Sequence, residues 1–186
     1  MTTPARSSLS FGFGGRISGQ YYYGCTIIPG SNGSMATLNK LYAVPFYVGD
    51  SCRFDQIAVA NVTGVATAVL RVGLYTDNNN RPDRLILDAG TIDISTGTGV
   101  KTVSIDIRLQ GKAWLCHVPQ TALPSSIVRV GAIVDPTIST ASPYSSWSGM
   151  AYSQTGINGA LPASWGSTYT NEATGSTFAA VSMRVK

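Results

Sequence analysis

Charge is scarce in this chain. Charged residues make up 12% of its 186 positions, about half the roughly 25% of an ordinary soluble domain. A single glutamate, Glu172, and the absence of Ala/Glu/Lys/Leu heptads exclude a long coiled coil. The thirteen cations are scattered, with no basic stripe or arm, so the net charge of +4 does not point to nucleic acid. No run approaches the ~20 apolar residues that span a bilayer. Residues 1–20 also lack the continuous apolar segment of a secretory signal, which predicts assembly in the cytoplasm. The three cysteines, Cys25, Cys52 and Cys116, form no CxxC and cannot all pair within one chain. They read as free thiols behaving like small hydrophobes, with a bridge to another chain through Cys25 as the second reading.

Catalytic and metal-binding chemistry is equally sparse. The one histidine, His117, sits in a strand, on the face opposite Trp114, Cys116 and Val118. A Ser-His-Asp or Cys-His centre would have to use it, yet no GxSxG accompanies it and Cys116 faces away. A structural or surface role is predicted. The loop from Thr76 to Asp83 offers Asp77 and Asn79, with Asp88 further on, in calcium-ligand order. Arg81 and Pro82 occupy the places of a ligand and of the sharp-turn glycine. An Asx-rich turn is the simpler expectation. Asp77, Asp83 and Asp88 also supply carboxylates, but nothing marks a coupled pair of the glycosidase kind. The sequence therefore predicts no enzyme, no metal and no cofactor.

What is present is periodicity of two. Ala66, Ala68, Leu70, Val72 and Leu74 alternate with other residues, as do Val103, Ile105, Ile107 and Leu109. Val128, Val130, Ala132 and Val134 repeat the pattern, and Ala179, Val181, Met183 and Val185 close the chain with it. Such alternation marks half-buried antiparallel strands. Shorter candidates are 41–48, 54–62, 85–87 and 112–118, and the apolar phase slips between Phe54 and Ile57 as at a bulge. No amphipathic helix is legible. About eight strands with Gly, Pro, Asn and Ser turns predict an all-β antiparallel β-sandwich, jelly-roll-like. An extended N-terminal arm precedes it.

Two segments stand outside that pattern. Residues 1–24 are Gly/Ser-rich and carry Phe11, Phe13, Tyr21, Tyr22 and Tyr23, with Cys25 next. They read as an assembly arm that gains order on another subunit. Residues 25–186 form the sandwich domain, which includes a long loop segment, 135–176. That segment carries Tyr144, Trp147, Tyr152, Trp165 and Tyr169 among Ser, Gly, Pro and Asn. Aromatics among small polar residues suit an adaptable recognition surface or stacking on sugar rings. Equally, they suit a packed Ω-loop with its own small core. Both readings stand at this point.

The block 39–92 reads NKLYAVPFYVGDSCRFDQIAVANV, then AVLRVGLYTDNNNRPDRLILDAGTI. It resembles a β-sandwich module of tailed-bacteriophage virion proteins. The recurring features are LYAxPF at Leu41–Phe46, F-x-x-I at Phe54–Ile57, R-x-G-x-Y-x-D at Arg71–Asp77 and P-x-x-L-x-L-D-A-G-T at Pro82–Thr91. The strand Lys112–Leu115 and the closing strand Val181–Val185 are also similar. The resemblance implies a non-enzymatic virion structural protein on the particle surface: a tail fibre, tip, minor tail or capsid or neck decoration protein. It implies attachment to other virion proteins through the arm, a homotrimer, and contact with host-surface glycan or protein in host attachment. No nucleic acid or membrane span is expected. The rival is a carbohydrate-binding module of a cellular protein. Arg71 reads as a structural partner for Asp77 or Asp83.

Overall fold

The computed structural model describes residues 16–23, 26–35, 37–134, 148–173 and 179–186. Among these the chain is all-β, antiparallel and without helix. The strands are β1 (Tyr21–Tyr22), β2 (Thr26–Gly33), β3 (Leu41–Thr63), β4 (Val69–Asp77) and β5 (Pro82–Asp93). They continue with β6 (Gly99–Gln120), β7 (Ser126–Val134), β8 (Ser148–Gln154), β9 (Thr170–Ala173) and β10 (Val181–Val185). Hydrogen bonds join them in the order β1-β10-β3-β6-β4-β5, with β8 and β9 on the first part of β3 and β2–β7 at its end.

Two long strands organise everything else. The sequence predicts 41–48 and 54–62 as separate strands, and likewise 103–109 and 112–118. They are instead continuous in β3 and β6, which pair antiparallel from Tyr42↔His117 to Asn61↔Gly99. The ribbon bends where Val48↔Gly111 gives way to Cys52↔Leu109. Gly111 takes φ +81° there, a conformation that favours a residue without a Cβ. Beyond the bend, the expected bulge is present: β10 pairs Arg184 with Gln56 and Val185 with Phe54, leaving Asp55 as the extra residue.

The bend folds one sheet into two layers over a common core. Tyr42, Val44, Phe46 and Val48 from before it pack with Phe54, Ile57 and Val59 from after it. Leu70, Val72 and Leu74 of β4 fill the same space, as their alternation requires, with Val181 and Met183 of β10 opposite. At the β4–β5 hairpin, Asn78 and Arg81 exchange backbone hydrogen bonds of 2.8 and 3.1 Å. Asn79 and Asn80 lie at φ 52° and 63°, the two-residue turn that matches strand twist.

The segment 135–176 is not wholly irregular. It contributes β8 and β9, which its Ser/Gly/Asn composition concealed. The arm region likewise contributes β1, which pairs Tyr21↔Arg184 and Tyr22↔Met183 on the edge of β10.

Candidate functional site

The first layer has a second apolar face, turned away from the main core. Leu41 and Ala43 of β3, Tyr75 of β4, and Trp114, Cys116 and Val118 of β6 project from it. This is the other half of the same alternation that fills the core. Tyr152, Ile157, Leu161, Trp165 and Tyr169 cover it, so residues 152–169 form a cap with its own small core. Polar bonds tie the cap down along its length. Gln120 Nε2 donates to the carbonyls of Ile157 and Gly159, at 3.1 and 2.8 Å. The Tyr75 hydroxyl donates to Pro162 O at 2.8 Å. Leu85 N donates to Ala163 O and Trp165 N to Asp83 O, extending the edge of β5. Leu161 seats over Gly73, where an added Cβ would lie 2.4 Å from Leu161 Cδ1.

The aromatic side chains of the cap form a closed circuit. Trp114 meets Tyr152 edge to face at 5.3 Å, and Tyr152 meets Tyr169 likewise at 5.3 Å. Arg81 lies over Tyr169 at 5.2 Å and Lys112 over Trp114 at 5.0 Å. Lys112 Nζ then donates to Asn80 Oδ1 at 3.0 Å, returning to the neighbour of Arg81. Edge-to-face and cation–π contacts of this kind each add about 1 kcal/mol beyond burial.

Of the predicted ligand-binding residues, Tyr144 and Trp147 lie outside the described residues. Tyr152 is only 8% exposed and is occupied by packing on both sides. Trp165 and Tyr169 are half-buried, Trp165 standing edge-on to Tyr75 at 5.3 Å. Trp165 Nε1 is shielded from solvent and has no hydrogen-bond partner among the described residues. Arg81 of the exposed turn Asn78–Arg81 lies over the Tyr169 ring. Sequence reading missed Arg81 as a member of the cluster, because its only signal was adjacency to the Asn-rich turn.

Several titratable groups are committed to structure. His117 is buried on the predicted face, stacked on Tyr42, and its Nε2 accepts the Ala179 N–H at 3.1 Å. Burial lowers its pKa to about 3. Burial also pushes the Cys116 thiol up, while Cys116 and Cys52 are both free thiols. Arg71 lies on the face opposite Leu70 and Val72, and its partner is neither Asp77 nor Asp83. It binds Asp88 through three contacts of 2.8–3.0 Å. The register places Gly73 opposite Asp88 across the hairpin, which brings the two side chains together. Burial raises the Asp88 pKa, but Arg71 and the N–H groups of Leu161 and Gly90 outweigh it, leaving a net lowering.

Asp77 accepts the Trp114 indole N–H at 2.8 Å and the Asn80 backbone N–H, as an Asx turn does. Among the described residues no three His, Cys, Asp or Glu side chains gather to hold a metal ion. No described helix is long and apolar enough to cross a membrane.

The chain enters the body through a latch. Arg16 lies over the rings of Tyr22, Phe46 and Phe54 at 4.7, 5.4 and 5.7 Å. Its Nη2 donates to Tyr47 O at 2.7 Å, and burial lowers the guanidinium pKa. The Tyr22 hydroxyl accepts the Ile17 N–H, and the Tyr21 hydroxyl donates to Gln56 Oε1. Tyr21 is exposed, whereas Tyr22 and Tyr23 pack on the main core. So 16–23 of the predicted arm lies on its own body. Phe11, Phe13 and Cys25 lie outside the described residues. Arg16, invisible as a site in sequence, is the residue that closes the latch.

No family model, no curated protein and no solved structure matches this chain.

Proposed function

We propose that this chain is a non-enzymatic structural protein of a phage virion, exposed on the particle surface and attached through its N-terminal arm. The observation that carries the reading is the latch at Arg16. A tether must transmit force to the body at a fixed point, and Arg16 sits in a cage of three rings beside a strand zipped onto β10. The virion resemblance is supported by where its motifs fall. Leu41–Phe46 and Phe54–Ile57 lie either side of the bend in β3, and Arg71–Asp77 and Pro82–Thr91 form one hairpin. In this reading the body is a fibre, tip or decoration protein, assembled as a homotrimer in the host cytoplasm. Its outer cap then meets host-surface glycan or protein.

Particles assembled without this chain and then mixed with purified protein test the attachment. Full-length protein is expected to co-sediment with the particles, and a chain lacking residues 1–24 to stay in solution. Equal co-sedimentation of both would remove the arm's role.

A second reading, a carbohydrate-binding module of a cellular protein, is favoured by one observation. Trp165 and Tyr169 are only half-buried, and Tyr169 lies under Arg81 of an exposed Asn-rich turn. Glycan binding by residues 16–186 as a monomer, with no affinity for particles, would select it.

A further inference from the structure

Among the described residues, one long edge of the sheet has no partner strand. In the second half of β6, from Ala113 to Gln120, the strand lies between β3 and β4. Its first half, Gly99–Leu109, pairs with β3 alone, and among the described residues no strand runs along its other side. Alternate N–H and C=O groups of this run therefore point away from the sheet. An open edge of this length is a template for one more strand.

Its side chains are prepared for one. Val103, Ile105 and Ile107 pack on the main core but are only partly buried, while Thr102, Ser104 and Asp106 face solvent. No proline interrupts it, and its centre, Thr102–Ile105, carries no charge, with Lys101 and Arg108 standing towards its two ends. Asp106 is already held by Arg53.

The same chain carries a sequence that fits. Ser8-Leu9-Ser10-Phe11-Gly12-Phe13 alternates polar or small with apolar residues and has no charge. It lies outside the described residues, a short distance before the anchored Arg16. Such a pattern buries one face only against a neighbouring strand and the core beneath it. We infer that Ser8–Phe13 of one copy adds as a strand to the open edge Gly99–Leu109 of a neighbouring copy. Leu9, Phe11 and Phe13 then cover Val103, Ile105 and Ile107, main-chain bonds giving affinity and the alternate apolar residues giving register. This rests on the reading of the N-terminus as an assembly arm, and it names the seat of that arm.

Residue-resolved amide exchange tests it, with sedimentation measured on the same samples. In the full chain, the amides of 99–109 that do not bond to β3 are expected to be protected, in a species larger than a monomer. Deleting residues 1–15, or the pair Phe11→Ser and Phe13→Ser, should remove that protection and leave a folded monomer. A synthetic peptide of residues 6–15 should restore protection to the truncated chain. Free exchange along this edge in the full chain, or protection unchanged by truncation, overturns the proposal. So does loss of protection with no change of mass, which would seat the strand on its own copy. These readouts do not depend on particles, so the virion reading can fail while the edge pairing stands.

Discussion

The rings of Phe46 and Phe54 meet edge to face with centroids 5.6 Å apart, although both belong to the single strand β3. Eight residues of straight strand would separate them by roughly 26 Å. Their contact is therefore the direct measure of the bend that turns one ribbon into two layers. Both rings are fully buried, and Arg16 rests over each.

Truncating either ring should loosen bend and latch together. Phe54→Ala is expected to cost about 3–5 kcal/mol, the usual range for a buried aromatic, read from denaturant unfolding. Arg16→Ala should cost much less and leave the unfolding slope unchanged. A small loss for Phe54→Ala would mean that the layers are held elsewhere.

Gly73 is the seat of the cap. Its added Cβ would meet Leu161 Cδ1 and the Leu87 carbonyl at 2.4 Å, and the carbonyl belongs to the paired strand. Gly73→Ala is expected to destabilise by about 1–3 kcal/mol through overpacking. Tryptophan fluorescence should shift to the red as Trp165 loosens. Unchanged emission would mean that the cap adapts without moving.

The Arg71–Asp88 pair gives a pH dependence of known sign. The folded pKa of Asp88 lies below its ordinary value, so its contribution is complete above the unfolded carboxylate range. It is lost as pH falls through the folded pKa. Asp88→Asn leaves Arg71 without its anion and the cap with a weaker acceptor at Leu161 N. A loss of about 2–3 kcal/mol at neutral pH is expected, with a flatter acid limb in the stability profile. An identical acid limb in the variant would show that other groups control it.

His117 has the same sign for a different reason. Its folded pKa of about 3 lies below the unfolded value of 6.5, so the unfolded chain binds the extra proton. Stability from this site is complete above pH 6.5 and falls as pH drops from there towards 3. Protonation would cost the hydrogen bond accepted from Ala179 N, which links β6 to the entry of β10. The imidazole resonances should show no titration between pH 7 and 4.5 while the protein stays folded. A midpoint near 6.5 in the native state would contradict its burial.

In the cap, burial separates the two substitutions most useful for function. Tyr152→Ala removes the centre of the aromatic circuit and is expected to cost about 3–5 kcal/mol. Trp165→Ala should cost less, because the ring is half-buried. If the cap contacts host glycan or protein, Trp165→Ala and Arg81→Ala should weaken adsorption to cells while the melting temperature shifts little. Adsorption unchanged in both would leave the circuit as packing alone.

The alternation of Leu70, Val72 and Leu74 and of Val103, Ile105 and Ile107 made the strands and their inward faces legible. The phase slip after Phe54 made the bulge at Asp55 legible too. The continuity of β3 and β6 was not, because Gly49–Ser51 and Gln110–Gly111 have the composition of turns. Here they bend a ribbon whose pairing resumes beyond them. Arg71's partner escaped because sequence proximity favoured Asp77, whereas cross-strand register selects Asp88 and Trp114 engages Asp77. For the aromatics, composition left a recognition surface and a packed Ω-loop equally open. Which rings face inward depends on the outer face of β3, β4 and β6, and that is decided only once those strands are side by side.

Immunogold electron microscopy of intact particles, with an antibody against this chain, tests the central reading most directly. Gold at the tail tip, or on the head or neck, is the expected result, and its position separates a receptor-binding tip from a decoration. Unlabelled particles, with an antibody shown to recognise the folded protein, would contradict a place on the virion surface.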